Sequence, residues 1–171
     1  MEKILPLVEY GHIDFGENKV QEAIEKWTDI KSNNNNIKLH LIGGLQTNKV
    51  KLAVKLFDYI HSVDNEKLAK KISDEQKKIE KNIKIFIQIN IGEENQKSGV
   101  NLNDFEKLYD YCKNELKLNV IGSMCIPPND NNSEKYFSQM FEIKKKFNFK
   151  DLSMGMSSDY LLAMKYGSTY V

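Results

Sequence analysis

The regular alternation of short apolar runs with amphipathic stretches constrains the fold of this 171-residue chain more than any other feature. The strand-like runs cover residues 13–15, 38–42, 59–63, 83–90, 118–125 and 152–154. Between them, apolar residues recur at i, i+3, i+4 and i+7, as at Val20, Ala23, Ile24 and Trp27, which indicates amphipathic helices. Strands that alternate with helices of this kind favour right-handed βαβ units and a parallel sheet.

The strand count leaves two architectures open. Residues 2–10 form a helix candidate that no strand precedes, and residues 168–171 form a seventh strand candidate. Seven strands are one short of an eightfold (β/α)8 barrel, whereas an open doubly wound sheet accommodates seven. In either case the length fits one domain over residues 1–171.

Composition excludes several classes of protein. The 25 basic and 24 acidic side chains give a net charge of +1, so no global field favours nucleic acid or an anionic membrane surface. No apolar run reaches the length of a signal sequence or the ~18 residues of a membrane span. We therefore expect a soluble, cytoplasmic protein. Cys112 and Cys125 lack the spacing of a metal site, so we predict buried free thiols and no bound metal.

Polar and glycine-rich segments follow three of the strand candidates, at residues 16–18, 43–49 and 155–159. In parallel α/β folds the carboxyl ends of the strands share one edge, and ligands bind there. We therefore expect the candidate binding residues to lie on one rim. The three histidines, His12, His40 and His61, are far apart in sequence, and each lies in or beside a strand candidate. Isolated histidines in such positions usually have a structural role.

Residues 153–159, with the sequence SMGMSSD, pass from a strand through a glycine into a helix candidate. Free backbone N–H groups at the helix start, the positive end of the helix dipole and the hydroxyls of Ser157 and Ser158 suit a phosphate. Alternatively, one of these serines only caps the helix, with Asp159 in its first turn. The position near the end of the chain favours a ligand, because (β/α)-barrels bind phosphate after their last strands.

The two other rim segments are less specific candidates than the serine segment. Asn18 could present its amide to a ligand or cap the helix that follows, while Glu17 could complement the helix dipole. Lys49 is the lysine nearest the rim and is considered as a substitute for a cofactor-binding lysine, although lysines at helix starts are usually solvated.

Six motifs occur in order along the chain: FGENKVQEA (15–23), HLIGGLQTNKVK (40–51), IHSVDNEKLA (60–69), IQINIGEENQKSGV (87–100), MCIPP (124–128) and LSMGMSSDYLLAM (152–164). Together they resemble the pyridoxal 5′-phosphate (PLP) homeostasis proteins. The single (β/α)8 TIM barrel of that family is similar to the N-terminal domain of bacterial alanine racemases. The resemblance covers essentially the whole chain and favours the barrel over the doubly wound sheet.

The resemblance implies a function and a site. The expected function is PLP binding in intracellular PLP homeostasis without catalytic turnover, so the protein is expected not to be an enzyme. In the family the phosphate lies against the serine pair that matches Ser157 and Ser158, and an asparagine matching Asn18 lines the cofactor pocket. Met156 lies in the motif of the serine pair and His40 in the motif that begins at residue 40, and both are counted among the cofactor-binding candidates.

The sequence departs from the family at both ends. Members begin with a strand that carries the Schiff-base lysine, which would lie upstream of residue 1, and they continue past Val171 to an arginine near the pyridine nitrogen. The resemblance therefore implies a barrel without its first strand and without the end of its last, shortened at both ends. Without the lysine and the arginine we expect PLP binding to be weak or absent. We expect a monomer or a weak homo-oligomer.

Two alternatives remain from the sequence. A PLP-dependent amino-acid racemase needs a lysine and a second acid/base group on opposite faces of the cofactor, and the motifs supply neither. A non-binding remnant would at most associate with itself or another chain through its open sheet edges.

Overall fold

The chain folds around one sheet of six parallel strands in a computed structural model that describes residues 4–94 and 96–171. The strands are β1 (Asp14–Glu17), β2 (Lys38–Leu41), β3 (Tyr59–Val63), β4 (Lys84–Gln88), β5 (Asn119–Met124) and β6 (Asp151–Ser153). They lie side by side in sequence order. A doubly wound sheet reverses its strand order at a switch point, so the unbroken order is that of an opened (β/α)-barrel.

The curvature of the sheet is shown by a contact across its concave face. The Ser153 hydroxyl on β6 lies 2.8 Å from Nδ1 of His61 on β3, although the two strands are three positions apart. In a flat sheet such strands would be separated by roughly 14 Å. The described strands therefore form a half-barrel with an interior.

Helices cover the outside of the half-barrel. They are α1 (Leu5–Glu9), α2 (Val20–Asn33), α3 (Val50–Leu56), α4 (Glu66–Lys78), α5 (Leu102–Asp110), α6 (Ser133–Phe147) and α7 (Tyr160–Lys165). A short 3-10 turn, Thr47–Lys49, precedes α3, and a π turn, Tyr111–Glu115, follows α5. The start of α4 is fixed by the Asn65 side chain, which accepts a hydrogen bond from the backbone N–H of Leu68.

Two apolar layers hold these elements together. Side chains alternate across a strand, so Ile85 and Ile87 of β4 are buried against the helices while Phe86 between them faces the interior. Phe86 packs there with Tyr59 and Met124. The interior layer is more polar than the outer one, because it also contains His40, His61 and Ser153.

The predicted elements at the two ends of the chain are shorter than expected. Residues 168–171 make only an isolated parallel bridge between Tyr170 and Ser153, because the hydroxyls of Ser168 and Thr169 hydrogen-bond to the backbone around Leu152. The helix predicted over residues 2–10 is confirmed as Leu5–Glu9, and residues 2 and 3 lie outside the described part.

Candidate functional site

Three polar segments meet the same edge of the half-barrel, where the strands end. Asn18 follows β1, Gly43 follows β2, and residues 155–158 follow β6. The first two segments touch, because a Cβ atom at Gly43 would lie 2.2 Å from the carbonyl oxygen of Asn18. A glycine at this position therefore permits the close approach of the two loops.

The turn that carries the two serines is held by Asp159. One carboxylate oxygen of Asp159 accepts a hydrogen bond of 2.7 Å from the backbone N–H of Met156. The other accepts one of 3.0 Å from the Ser133 hydroxyl at the start of α6. Gly155 enters the turn with a φ of +109°, which favours glycine. The carboxylate thus fixes the backbone immediately before the serines.

Ser157 and Ser158 themselves are exposed and uncommitted. Neither their hydroxyls nor their backbone N–H groups donate to another residue of the described chain. Helix α7 begins at the N-cap residue Asp159, which makes no side-chain cap, so the interpretation of the serines as caps is wrong. The turn presents four hydrogen-bond donors to solvent.

Asn18 is also free to bind, whereas Glu17 is not. The N-cap of α2 is Lys19 without a side-chain cap, and the exposed Asn18 side chain has no partner among the residues described, so the capping interpretation fails here too. The Glu17 carboxylate is buried and accepts hydrogen bonds from Trp27 Nε1 at 2.8 Å and Lys26 Nζ at 3.1 Å. It fastens α2 to β1 rather than complementing the dipole from solvent.

His40 lies in the interior, with both ring nitrogens occupied. Nε2 is 3.0 Å from Oδ1 of Asp14, and Nδ1 is 2.9 Å from Nε2 of His61. The ring also stacks on Tyr59 with 4.0 Å between centroids. A hydrogen bond from His40 to a ligand would require it to exchange one of these partners, so its role at the cofactor site stays a prediction.

The pairing of His40 with His61 was not anticipated from the sequence. Burial, with a smaller effect of His40, lowers the pKa of His61 to about 3. Burial also lowers the pKa of His40, and the Asp14 carboxylate offsets part of that effect. With both rings neutral, one proton arrangement satisfies the row, from the Ser153 hydroxyl through the two imidazoles to the carboxylate.

The remaining candidates have mixed outcomes. Lys49 ends the 3-10 turn after β2 and is half-buried, so its position near the rim is confirmed and its chemistry stays a prediction. Cys112 and Cys125 are buried free thiols as predicted, and burial raises the pKa of each to about 12. Within residues 4–94 and 96–171, no cluster of histidine, cysteine and acidic side chains could hold a metal ion.

Sequential parallel strands with a polar rim at their carboxyl ends define a protein of the (β/α)-barrel class. The chain belongs to the alanine racemase N-terminal domain family, whose sequence model matches residues 1–171.

Relatives and solved structures confirm the family recognised from the six motifs. The pyridoxal phosphate homeostasis protein of Haemophilus influenzae is 34% identical over 98% of this chain and 75% of its own length. That of Aquifex aeolicus is 35% identical over 92% of this chain and 72% of its own. The structure of PipY from Synechococcus elongatus with PLP bound superposes with a TM-score of 0.87 at 30% identity, covering 99% of this chain and 82% of PipY.

Alanine racemase from Clostridium difficile shares the fold at a greater distance. Its TM-score is 0.70 at 13% identity, over 92% of this chain and 42% of the racemase. This confirms the expected relationship to the racemase barrel and says nothing about activity. None of the helices in the described part is both long and apolar enough to cross a bilayer.

Proposed function

We propose that this chain binds PLP at the rim formed by the serine turn and Asn18, and that it acts in PLP homeostasis without catalysing a reaction. The observation that carries the proposal is the exposed, unpartnered Ser157–Ser158 turn in a relative of PipY, which has been solved with PLP bound. The curated relatives are named for PLP homeostasis and not for an enzymatic reaction, which supports the second part.

The donors of the turn fit the phosphate group of the cofactor. A phosphate accepts several hydrogen bonds, and the hydroxyls and backbone N–H groups of Ser157 and Ser158 supply four without breaking any bond of the described fold. Asn18 would contribute its amide from the loop after β1, and the exposed Met156 would flank the phosphate. When bound, PLP supplies an aldehyde that reacts with amines, and Lys49 is the rim lysine that we propose for such a contact.

A racemase-like reaction receives less support. It requires acid/base groups that exchange protons near neutral pH. The interior His61 is held neutral by burial and hydrogen-bonded on both nitrogens, and the thiol of Cys125 has a pKa of about 12. Racemisation of alanine by the purified chain with added PLP would favour this alternative and contradict the non-catalytic proposal.

The proposal is tested by titrating the purified chain with PLP and following the cofactor's absorption spectrum. Replacement of both serines, S157A/S158A, should weaken binding at least tenfold, because the phosphate loses two charge-assisted hydrogen bonds. Ser32→Ala is the matched control, since Ser32 is exposed at the far end of α2 and bonds only to the Asp29 carbonyl. Borohydride reduction and peptide mapping would locate any attached lysine.

The outcomes separate the site from the function. Saturable binding that the double serine variant retains unchanged would contradict the assignment of the phosphate to this turn. If the parent chain showed no saturable binding, the proposal of a PLP carrier would fail for this chain. Labelling of a lysine other than Lys49 would leave PLP binding in place and exclude Lys49 as the contact.

We further propose that residues 1–171 act as one domain in the cytoplasm, as a monomer or weak homo-oligomer, and without a nucleic-acid partner. The nearly balanced charge supports the last point, because no long-range field attracts a polyanion. Sedimentation at several protein concentrations tests the oligomeric state, and a stable, concentration-independent oligomer would contradict it.

A further inference from the structure

A polar cavity lies at the edge of the half-barrel opposite the serine turn, where β2, β3 and β4 begin. Its volume is about 500 Å³. We call it the lysine cavity and define it by its charged lining residues: Lys31, Lys38, Asp58, Lys81 and Lys84. Because the strands are parallel, this edge is the far end of the barrel from the serine turn, so the cavity is separate from the proposed PLP site.

The carboxylate in the lysine cavity is already satisfied. Oδ2 of Asp58 accepts a hydrogen bond of 2.9 Å from the backbone N–H of Leu39 and forms an ion pair with Lys31. Lys31 also donates to the carbonyl oxygen of Leu56, at the end of α3. Asp58 is thus engaged by Lys31, and the lining places four lysines against this one carboxylate.

Lys81 is held in the wall by backbone carbonyls. Its ammonium donates to the carbonyl of Phe57 at 2.7 Å and lies 3.9 Å from Oδ1 of Asp58. Burial lowers the pKa of Lys81, Asp58 raises it in part, and Lys31 lowers it further. A cation that is partly desolvated beside another cation is stabilised by an incoming anion.

Lys84 and Lys38 have donors to spare. Lys84 donates to the hydroxyl of Tyr59 at 2.9 Å, which leaves two of its three N–H groups unused. The Lys38 ammonium makes no hydrogen bond or ion pair within the described chain, and the backbone N–H of this residue donates to the carbonyl of Ile13. The nearby carboxylates of Asp14 and Asp151 help to raise the pKa of Lys84, after the larger effect of Tyr59, so Lys84 is charged at neutral pH.

We propose that the lysine cavity binds a small, multiply charged phosphate compound, of the class of pyrophosphate and phosphate monoesters. Its volume lies in the range of small-molecule sites, and lysine ammonium groups bind phosphate as point charges. The cavity is also lined by three amide side chains that can donate to phosphate oxygens: Asn35, Asn36 and Asn82. Binding here does not depend on the serine turn.

Inorganic pyrophosphate is the probe for this site, in calorimetric titrations at constant ionic strength. The variant K38Q/K84Q removes the two ammonium groups with unused donors and leaves the Asp58–Lys31 pair intact. The control K67Q/K135Q makes the same change of charge at exposed positions on α4 and α6. We expect 1:1 binding that K38Q/K84Q weakens at least tenfold and that K67Q/K135Q leaves within twofold.

Amide chemical shifts of the parent protein give a second readout that does not depend on a variant folding. Pyrophosphate should shift the resonances of Asp58, Asn82 and Lys84, and it should do so equally in S157A/S158A. Shifts confined to residues 155–159, or a loss of affinity as large in K67Q/K135Q as in K38Q/K84Q, would overturn the proposal. So would the absence of saturable pyrophosphate binding by the parent protein.

Discussion

The imidazole rings of His40 and His61 are joined by a hydrogen bond of 2.9 Å inside the curve of the sheet. His40 continues the row to Asp14 on β1, and His61 continues it to Ser153 on β6. Four strands are thereby cross-linked by uncharged imidazoles in a buried layer. This row, rather than apolar packing alone, brings β6 back toward β3.

Acidification should destabilise the fold through these histidines before the carboxyl groups titrate. An unfolded histidine has a pKa near 6.5, whereas the pKa of His61 in the fold is about 3. As the pH falls, His61 is protonated in the unfolded state before it is protonated in the folded state. The stability that the fold has above pH 6.5 is therefore lost as the pH falls toward 3. A single histidine of this kind lowers the free energy of unfolding by about 2 kcal/mol between pH 6.5 and pH 5. Urea unfolding at several pH values measures this loss.

The variant His61→Gln tests whether the loss of stability on acidification comes from His61. It removes one of the two buried rings and should reduce the pH dependence of stability between pH 6.5 and 5, at the cost of a lower stability at pH 7.5. His12→Gln is the control, because His12 is exposed and should leave the pH dependence unchanged. The same decline with pH in His61→Gln as in the parent protein would contradict this role of His61.

Gly43 and Gly44 form a matched pair for testing the rim. A Cβ at Gly43 would lie 2.2 Å from the Asn18 carbonyl oxygen, whereas one at Gly44 would have no heavy atom within 4 Å. Gly43→Ala should therefore displace the Asn18 loop and weaken PLP binding, and Gly44→Ala should change binding less than twofold. Cofactor titrations of both variants measure this. Equal affinities would show that the contact between the two loops does not position Asn18.

Much of the architecture could be predicted from the sequence because it rests on periodic patterns. The predicted strand from Tyr59 to Val63 has the same bounds in the structure, and the apolar stripe that begins at Val20 and Ala23 is the buried face of a helix. The seven-strand count was one too high, because the hydroxyls of Ser168 and Thr169 bond to the carbonyls of Met154 and Leu152 and a single bridge remains. Side-chain competition of this kind has no periodic signature.

The site was only partly predictable for a different reason. The serine turn lies in one contiguous segment, so its polar character was visible, but the carboxylate of Asp159 was needed to show that the serines are not caps. The pairing of His40 with His61 depends on which faces of β2 and β3 point inward. The sequence signal for this pairing was the presence of one histidine in each of two neighbouring strand candidates, on faces that could both point inward.

The Glu17 carboxylate should contribute to stability as a buried acceptor. Glu17→Ala leaves the Trp27 indole N–H without its partner, at a cost of about 1–3 kcal/mol in the free energy of unfolding. Glu17→Gln keeps an acceptor for the indole and should cost less, although it loses the ion pair with Lys26. Chemical denaturation of both variants measures the difference. If both variants lost the same free energy of unfolding, the effect would come from the Glu17 charge rather than from its hydrogen bond with the Trp27 indole.

Asp159 is expected to act as a positioning residue for the serine turn. It holds the Met156 N–H and the Ser133 hydroxyl and presents no free donor to a phosphate, so its effect on PLP must pass through the geometry of residues 156–158. Asp159→Ala should weaken PLP binding several-fold, whereas Asp159→Asn, which retains a carbonyl acceptor for Met156, should recover most of the affinity. Cofactor titration and urea unfolding of both variants separate binding from stability. Loss of affinity in proportion to loss of stability would indicate a purely structural role, whereas rescue by asparagine would show that the hydrogen bond to Met156 sets the phosphate site.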